Sequence, residues 1–382
     1  MRAGKNGSVS HDHLEDPYRA DIIDLGRDEE GPVVATLISR TDSPRQGRAV
    51  LYIHGFSDYF FHPHVAGYFV ERGYAFYAID LRKAGRSLRP HQTPHYVKDP
   101  TQYFADLDAA ARIIRAQGNH HLLVYAHSAG GLTASLWAHR LGKVEWLQGL
   151  VLNSPFIGFG MNDLLRKLLM APVEIAGLIA PAMALPPRGP SVNVVGLHAD
   201  FRGEWDFNLA WKPYAGTPIR LGWLRGIHRA QRSVHQGLDV RAPVLVAVAQ
   251  NSLRRRYWTS HCDVADTVLD PNTILRWAPK IGTNVATVRI AQARHDLALS
   301  KKPARERFFG AIDAWLVDNG IETESPTGRA RNRAGTPDPA DVDPAVKVGT
   351  GRRTTRRERE WYVDNIRDVA ADAGQTPDVG RP

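Results

Sequence analysis

Five short apolar runs set tight limits on the architecture of this chain. They are Ala49-Val-Leu-Tyr-Ile-His54, Tyr74-Ala-Phe-Tyr-Ala-Ile-Asp80, Leu122-Leu-Val-Tyr-Ala126, Gly149-Leu-Val-Leu-Asn-Ser154 and Pro243-Val-Leu-Val-Ala-Val-Ala249. None alternates polar with apolar residues, so each is expected to be buried on both faces, as strands of a parallel sheet are. Helical spacing fills the gaps at 65–72, at 103–117 (Phe104, Leu107, Ala110, Ala111, Ile114) and at 132–141. Alternating strands and helices predict an α/β class chain with a doubly wound, mostly parallel sheet. Upstream, Asp21-Ile-Ile-Asp-Leu25 and Pro32-Val-Val-Ala-Thr-Leu-Ile38 read as an antiparallel hairpin.

The alternation stops after Ser154. Residues 155–241 hold apolar helical stretches, many prolines and Trp205, Trp211 and Trp223. This segment is expected to be an insertion, a helical cap over the strand ends. Strand patterning resumes at 243–249 and 285–290, and a closing helix is expected from Arg305 to Asp318. The predicted organisation is a polar N-terminal segment (1–18), a core (19–154 and 242–320), the cap (155–241) and a tail (321–382). Residues 322–353 are rich in Gly, Pro, Thr, Arg and Asp without apolar periodicity, so the tail is expected to be mostly disordered. Residues 355–371 could form a short helix within it.

Composition narrows the setting. A chain of 382 residues, 43% hydrophobic, is long enough for one large core plus an insertion. Its only cysteine, Cys262, excludes an intramolecular disulfide framework and suits a reducing, cytoplasmic compartment. The first twenty residues are polar and carry no signal-peptide h-region. A net charge of +9 favours peripheral contact with anionic surfaces such as phospholipid headgroups. No zinc-finger spacing or aromatic-interleaved basic stripe supports nucleic-acid binding. The apolar stretch from Leu168 to Pro187 carries Glu174 and four prolines, whereas a spanning helix needs about twenty apolar residues in a row.

Chemistry concentrates where the third run ends, in Ala126-His-Ser128-Ala-Gly-Gly131. A serine between small residues, after a strand and before a helix, has the layout of a nucleophile elbow, G-x-S-x-G, with Ala126 replacing the first glycine. A serine nucleophile needs a base, an acid that orients the base, and amide donors for the oxyanion. The candidate base is His295, a few residues after the run at 285–290 and just before the last helix. Candidate acids follow the 243–249 run: Asp266 in Asp266-Thr-Val-Leu-Asp-Pro271, with Asp263 and Asp270 as alternatives. Asp270 also reads as a helix N-cap before Pro271. The candidate oxyanion donors are the backbone N–H groups of Phe56, in the loop after the first run, and Ala129. The pairs His11/His13, His62/His64 and His120/His121 show no recognisable metal-ligand spacing, so neither a metal nor a cofactor is expected. Arg254-Arg-Arg256 could meet an anionic headgroup.

Taken together, these residues resemble the α/β-hydrolase superfamily, and within it the branch of monoacylglycerol lipases, lysophospholipases and serine aminopeptidases. The match rests on His54-Gly55-Phe56-Ser57, Asp80-Leu-Arg-Lys-Ala-Gly-Arg-Ser87, His127-Ser128-Ala-Gly-Gly131, and Asp266-Thr-Val-Leu-Asp-Pro271 with His295-Asp296. It covers roughly residues 20–320. The resemblance implies a Ser128–Asp266–His295 triad, the acid being the first aspartate of a D-x-V-x-D stretch. The stretch from Gln250 to Ala265 is longer than the resemblance leads one to expect. A serine at the elbow also argues against dehalogenases and epoxide hydrolases, whose nucleophile is an aspartate. The implied activity is hydrolysis of small-molecule or lipid esters with fairly apolar acyl groups, through an acyl-enzyme. The alternatives are an aminopeptidase-like serine hydrolase, which would need an anionic patch for the substrate ammonium, and a catalytically silent binding protein on the same fold.

Overall fold

The computed structural model describes residues 14–44, 47–161, 163–185 and 189–321, and only the backbone of 163–167. The chain begins with an antiparallel pair, β1 (Tyr18–Asp28) and β2 (Gly31–Arg40). It then winds through β3 (Arg48–Ile53), α1 (Pro63–Val70), β4 (Ala75–Asp80), α2 (Phe104–Ala116), β5 (His121–His127), α3 (Ala129–Leu141) and β6 (Leu147–Asn153). An insert follows, with α4 (Asp163–Ile179), β7 (Ala184–Leu185), α5 (Val192–Leu197), β8 (Ile219–Arg220) and α6 (Leu221–Gln236). The chain closes with β9 (Val244–Ala249), α7 (Pro271–Trp277), β10 (Val285–Ile290) and α8 (Lys302–Asp318). Eight strands form one sheet in the order β1-β2-β4-β3-β5-β6-β9-β10, parallel from β4 onward. The closing helix starts at Lys302, ahead of the expected Arg305. Pro303 sits in its first turn, where a missing N–H has no partner to lose. Residues 1–13, with His11 and His13, and the tail with its candidate helix lie outside the described residues.

Strand side chains alternate between two cores. From β3 and β5, Ala49, Leu51, Ile53, Leu122, Val124 and Ala126 face the core that holds α2, α3 and α6. Val50, Tyr52, Leu123 and Tyr125 face the other, with α1 and α8. Each face is therefore lined with apolar residues, which explains the continuous apolar runs. A fully buried Leu, Ile or Phe contributes about 1.5–3 kcal/mol, so these two layers hold the central strands rigidly.

The strand order locates the site. The chain passes from β3 to β4 on one side, then crosses to β5 on the other. Loops leaving β3 and β5 at their C-terminal ends diverge there and open a crevice, the usual ligand position in such sheets. In the insert, the helices are joined by an antiparallel pair, β7 with β8, which the sequence pattern did not suggest. No helix among the described residues is long and apolar enough to cross a membrane.

Candidate active site

Ser128 sits between β5 and α3 with φ 51° and ψ −118°, a conformation a non-glycine residue adopts only when its surroundings impose it. The turn is tight because it packs on the end of β3. A Cβ on Gly130 would lie 2.9 Å from Ile53 O and closer still to His54 O. One on Gly131 would lie 2.8 Å from Pro155 Cβ. Ala126 is different. It is a buried strand residue paired in register with Ile53 and Leu152, so the turn makes no demand there for glycine. Gly130→Ala should lower stability by about 3 kcal/mol or more, since a backbone carbonyl cannot rotate away. An unchanged urea midpoint would show that the turn is looser than described.

Three of the expected residues meet here. His295 Nε2 lies 3.0 Å from Ser128 Oγ, and His295 Nδ1 lies 2.8 Å from Asp266 Oδ2. Ser128 is half-buried, while His295 and Asp266 are buried. The other carboxylate oxygen of Asp266 accepts from Val268 N and Leu269 N, each at 2.7 Å. Burial alone would raise the pKa of Asp266. The charge and hydrogen bond of His295, with these two amides, outweigh burial and hold it below the ordinary value. An ionised Asp266 keeps the proton of His295 on Nδ1, leaving Nε2 free to accept from a hydroxyl.

The other two aspartates have different partners. Asp263 pairs with Arg294 at 2.8 Å and accepts from Trp258 Nε1 at 3.1 Å. Asp270 caps α7, accepting from Asn272 N and Thr273 N. The long stretch after β9 is an excursion closed at its base. Asp266 N donates to Asn251 O at 2.9 Å and Leu253 N to Asp266 O at 2.8 Å, which returns Asp266 to the end of β9. Arg254 donates to Val268 O at 2.6 Å, so part of the arginine cluster braces the acid turn.

Phe56 lies in the loop that follows β3, and Ala129, the residue after Ser128, opens α3. Gly55 lies so close that a Cβ on it would be 3.0 Å from Ser128 Cβ. Among the described residues, neither the Phe56 nor the Ala129 amide N–H has a hydrogen-bond acceptor. Backbone amides without an internal acceptor, placed beside a hydroxyl–imidazole pair, are the kind of donor that stabilises an oxyanion.

Sequence reading missed a second polar cluster just behind these residues. Asp58, His127 and Asp296 are buried, with candidate ligand atoms within 4.8 Å of one another. Lys212 Nζ lies 2.7 Å from Asp58 Oδ1, and His62 Nε2 lies 3.2 Å from Asp296 Oδ2. Asn153 donates to Asp296 Oδ1 at 2.7 Å. Burial works against both carboxylates, yet Lys212 and the neighbouring imidazoles hold Asp58 and Asp296 far below the carboxylate range. For His127, burial lowers the pKa, but Asp296 and Asp58 outweigh it and favour the imidazolium. Lys212 offsets one of the two carboxylate charges. The only sequence hint was adjacency, since His127 precedes Ser128 and Asp296 follows His295.

One face of α4 is turned outward. Leu168, Ile175, Leu178 and Ile179 are each more than 60% exposed, whereas Met170 is buried. Leu164 and Leu165 have side chains outside the described set. A cavity of about 420 Å³ does lie between α4 and α6, lined by Met170, Glu174, His228, Arg232 and His235 among others. None of the expected site residues lines it.

Comparisons with known proteins bear on the family and the fold. A family model described as "Serine aminopeptidase, S33" matches residues 44–252. No curated protein matches the chain. A soluble variant of monoglyceride lipase from Saccharomyces cerevisiae, solved with a substrate analog, superposes with a TM-score of 0.52 at 16% identity, covering 80% of this chain and 100% of that one. A monoacylglycerol lipase from Paleococcus ferrophilus superposes with a TM-score of 0.53 at 18% identity, covering 79% and 99%. At these identities the likeness is one of fold, the α/β-hydrolase fold.

Proposed function

This chain belongs to the serine aminopeptidase (S33) family of hydrolases, and from that premise we propose that it cleaves carboxylic esters of fairly apolar acyl groups, of monoacylglycerol or lysophospholipid type, through an acyl-enzyme. The observation that carries the reading is the continuous hydrogen-bonded relay from Ser128 through His295 to Asp266 at the strand ends. Ser128 Oγ attacks the ester carbonyl while His295 Nε2 takes its proton. The tetrahedral oxyanion accepts from Phe56 N–H and Ala129 N–H. His295 then returns the proton to the departing alkoxide, and a water repeats the sequence on the acyl-enzyme. Asp266 stays ionised throughout and orients the imidazole.

Two features favour an ester over a peptide N-terminus. An aminopeptidase must hold the substrate ammonium with an unpaired carboxylate. The two glutamates of the insert are both occupied: Glu174 by His228 (2.8 Å) and Arg225 (3.2 Å), and Glu204 by Lys301 (3.2 Å) and Arg305 (3.7 Å). The nearby Asp58 is bound by Lys212. Purified protein should hydrolyse p-nitrophenyl esters in a panel of graded chain length and leave aminoacyl-arylamides intact. The reverse preference would return the peptidase reading. Failure of the folded protein to label with a fluorophosphonate would instead favour a silent binding fold.

The outward apolar face of α4 supports peripheral contact with a lipid surface, assisted by the net charge of +9. Cosedimentation with anionic vesicles should fall when Ile175 and Ile179 are both changed to Gln. Equal binding by that variant would remove α4 from the contact. A single buried cysteine, Cys262, suits a reducing, cytoplasmic setting.

A further inference from the structure

The loop that carries Phe56 is held residue by residue by the insert. Phe56 packs on Trp223 of α6, with ring centroids 4.2 Å apart. Ser57 Oγ lies 2.7 Å from Thr217 Oγ1. Asp58 Oδ1 receives Lys212 Nζ at 2.7 Å, and the hydroxyl of Tyr59 accepts from Asn208 N at 2.6 Å. The core takes over only at Phe60, whose N–H donates to Asp80 Oδ1 at 2.9 Å and whose carbonyl accepts from Arg86 Nη1 at 3.1 Å. Before that point, the core meets residues 56–59 without a short hydrogen bond: the His95 ring lies 5.5 Å from that of Phe56, His127 approaches Asp58 at 3.5 Å, and Gly85 and Arg86 pack beside Tyr59. The loop also needs holding. Ser57 has φ 55°, a left-handed backbone that a non-glycine residue keeps only when its surroundings hold it there.

Resting on the hydrolase reading above, we propose that Lys212 and Thr217 are positioning residues for the oxyanion hole. By fixing Asp58 and the left-handed Ser57, they place the Phe56 N–H, so the insert sets the geometry of transition-state stabilisation as well as covering the site. An oxyanion donor acts on charge that develops only in the transition state. Its displacement therefore lowers kcat and leaves KM largely alone.

The test uses the full chain and four variants. Thr217→Val removes the hydroxyl at nearly constant shape, Thr217→Ser restores it, and Lys212→Met removes the ammonium. Lys301→Met breaks an insert-to-core ion pair at Glu204 that does not touch the loop. Two readouts are taken: kcat and KM on p-nitrophenyl butyrate, and hydrogen–deuterium exchange of peptides spanning 54–61. Thr217→Val should lower kcat about 10-fold and Lys212→Met by about 10- to 100-fold, with KM within about twofold. Both should raise exchange at 54–61. Thr217→Ser should behave as the parent, and Lys301→Met should change neither readout. Unchanged exchange at 54–61 in Thr217→Val overturns the proposal, as does an equal rise in Lys301→Met. If Lys212→Met does not fold, the Val/Ser pair at 217 decides. If the parent turns over no ester, the hydrolase reading fails and exchange alone decides whether the insert holds this loop.

Discussion

Ser128→Ala should cut ester turnover by at least about 10⁴-fold, equivalent to about 5.5 kcal/mol of transition-state stabilisation. It should also abolish fluorophosphonate labelling. Stability should change little. The substitution deletes one half-exposed oxygen whose recorded side-chain partner is His295 Nε2, and alanine meets the same backbone strain as serine. Thermal melting within about 2 °C of the parent, alongside lost turnover, separates a chemical role from a folding one. Parent-like turnover would overturn the assignment of Ser128 and, with it, the relay. Fluorophosphonate labelling adds a second check, because it requires an activated hydroxyl without requiring the physiological substrate.

A comparable loss is expected for Asp266→Asn, and here the atomic detail sets the magnitude. Asp266 Oδ1 accepts from Val268 N and Leu269 N. An asparagine would keep its carbonyl oxygen on those amides and turn its NH₂ toward His295 Nδ1. That donor requires Nδ1 to become an acceptor, so the imidazole proton moves to Nε2, the atom that must receive the proton of Ser128. A wrong tautomer of this kind costs about 10⁴-fold in kcat in a serine–histidine–aspartate relay. Asp270→Asn should be nearly silent, because asparagine is as good an N-cap as aspartate. Asp263→Asn weakens the pair with Arg294 and should affect stability more than rate. A 10⁴-fold loss in Asp263→Asn or Asp270→Asn, with Asp266→Asn active, would move the acid elsewhere.

Much of this architecture is legible in the sequence for a simple reason. Strands buried on both faces must be continuous apolar runs, and helices between them must carry apolar residues at helical spacing. Runs such as 49–54 and 122–126 therefore announce a parallel sheet without any knowledge of packing. The elbow is legible on the same ground, since Gly130 and Gly131 are small because the turn packs on Ile53, His54 and Pro155. The acid was harder to read. Three aspartates lie within eight residues, 263–270, and local pattern cannot say which one faces a histidine. The bridge from Asn251 and Leu253 back to Asp266, which settles its position, joins residues on either side of the excursion after β9.

Composition and periodicity were also silent on exposure. The apolar positions of α4 form a helical stripe, yet Leu168, Ile175, Leu178 and Ile179 face outward. A helix displays the same stripe whether it meets a core, a ligand or a surface. The buried cluster of Asp58, His127, Lys212 and Asp296 gave less warning still. Its members come from four separate segments, and charged residues in loops are usually solvated.

Local pattern alone carries the alternation of strands and helices, the strand-end location of Ser128 and the chain order of the serine, aspartate and histidine candidates. These follow from local rules of burial, turn sterics and connectivity. Which aspartate meets His295, which way α4 faces, and the hold on the loop after β3 by a segment about 150 residues further along the chain emerge only in the folded molecule. Such outcomes depend on contacts between distant segments, whose geometry is set by packing the whole chain at once.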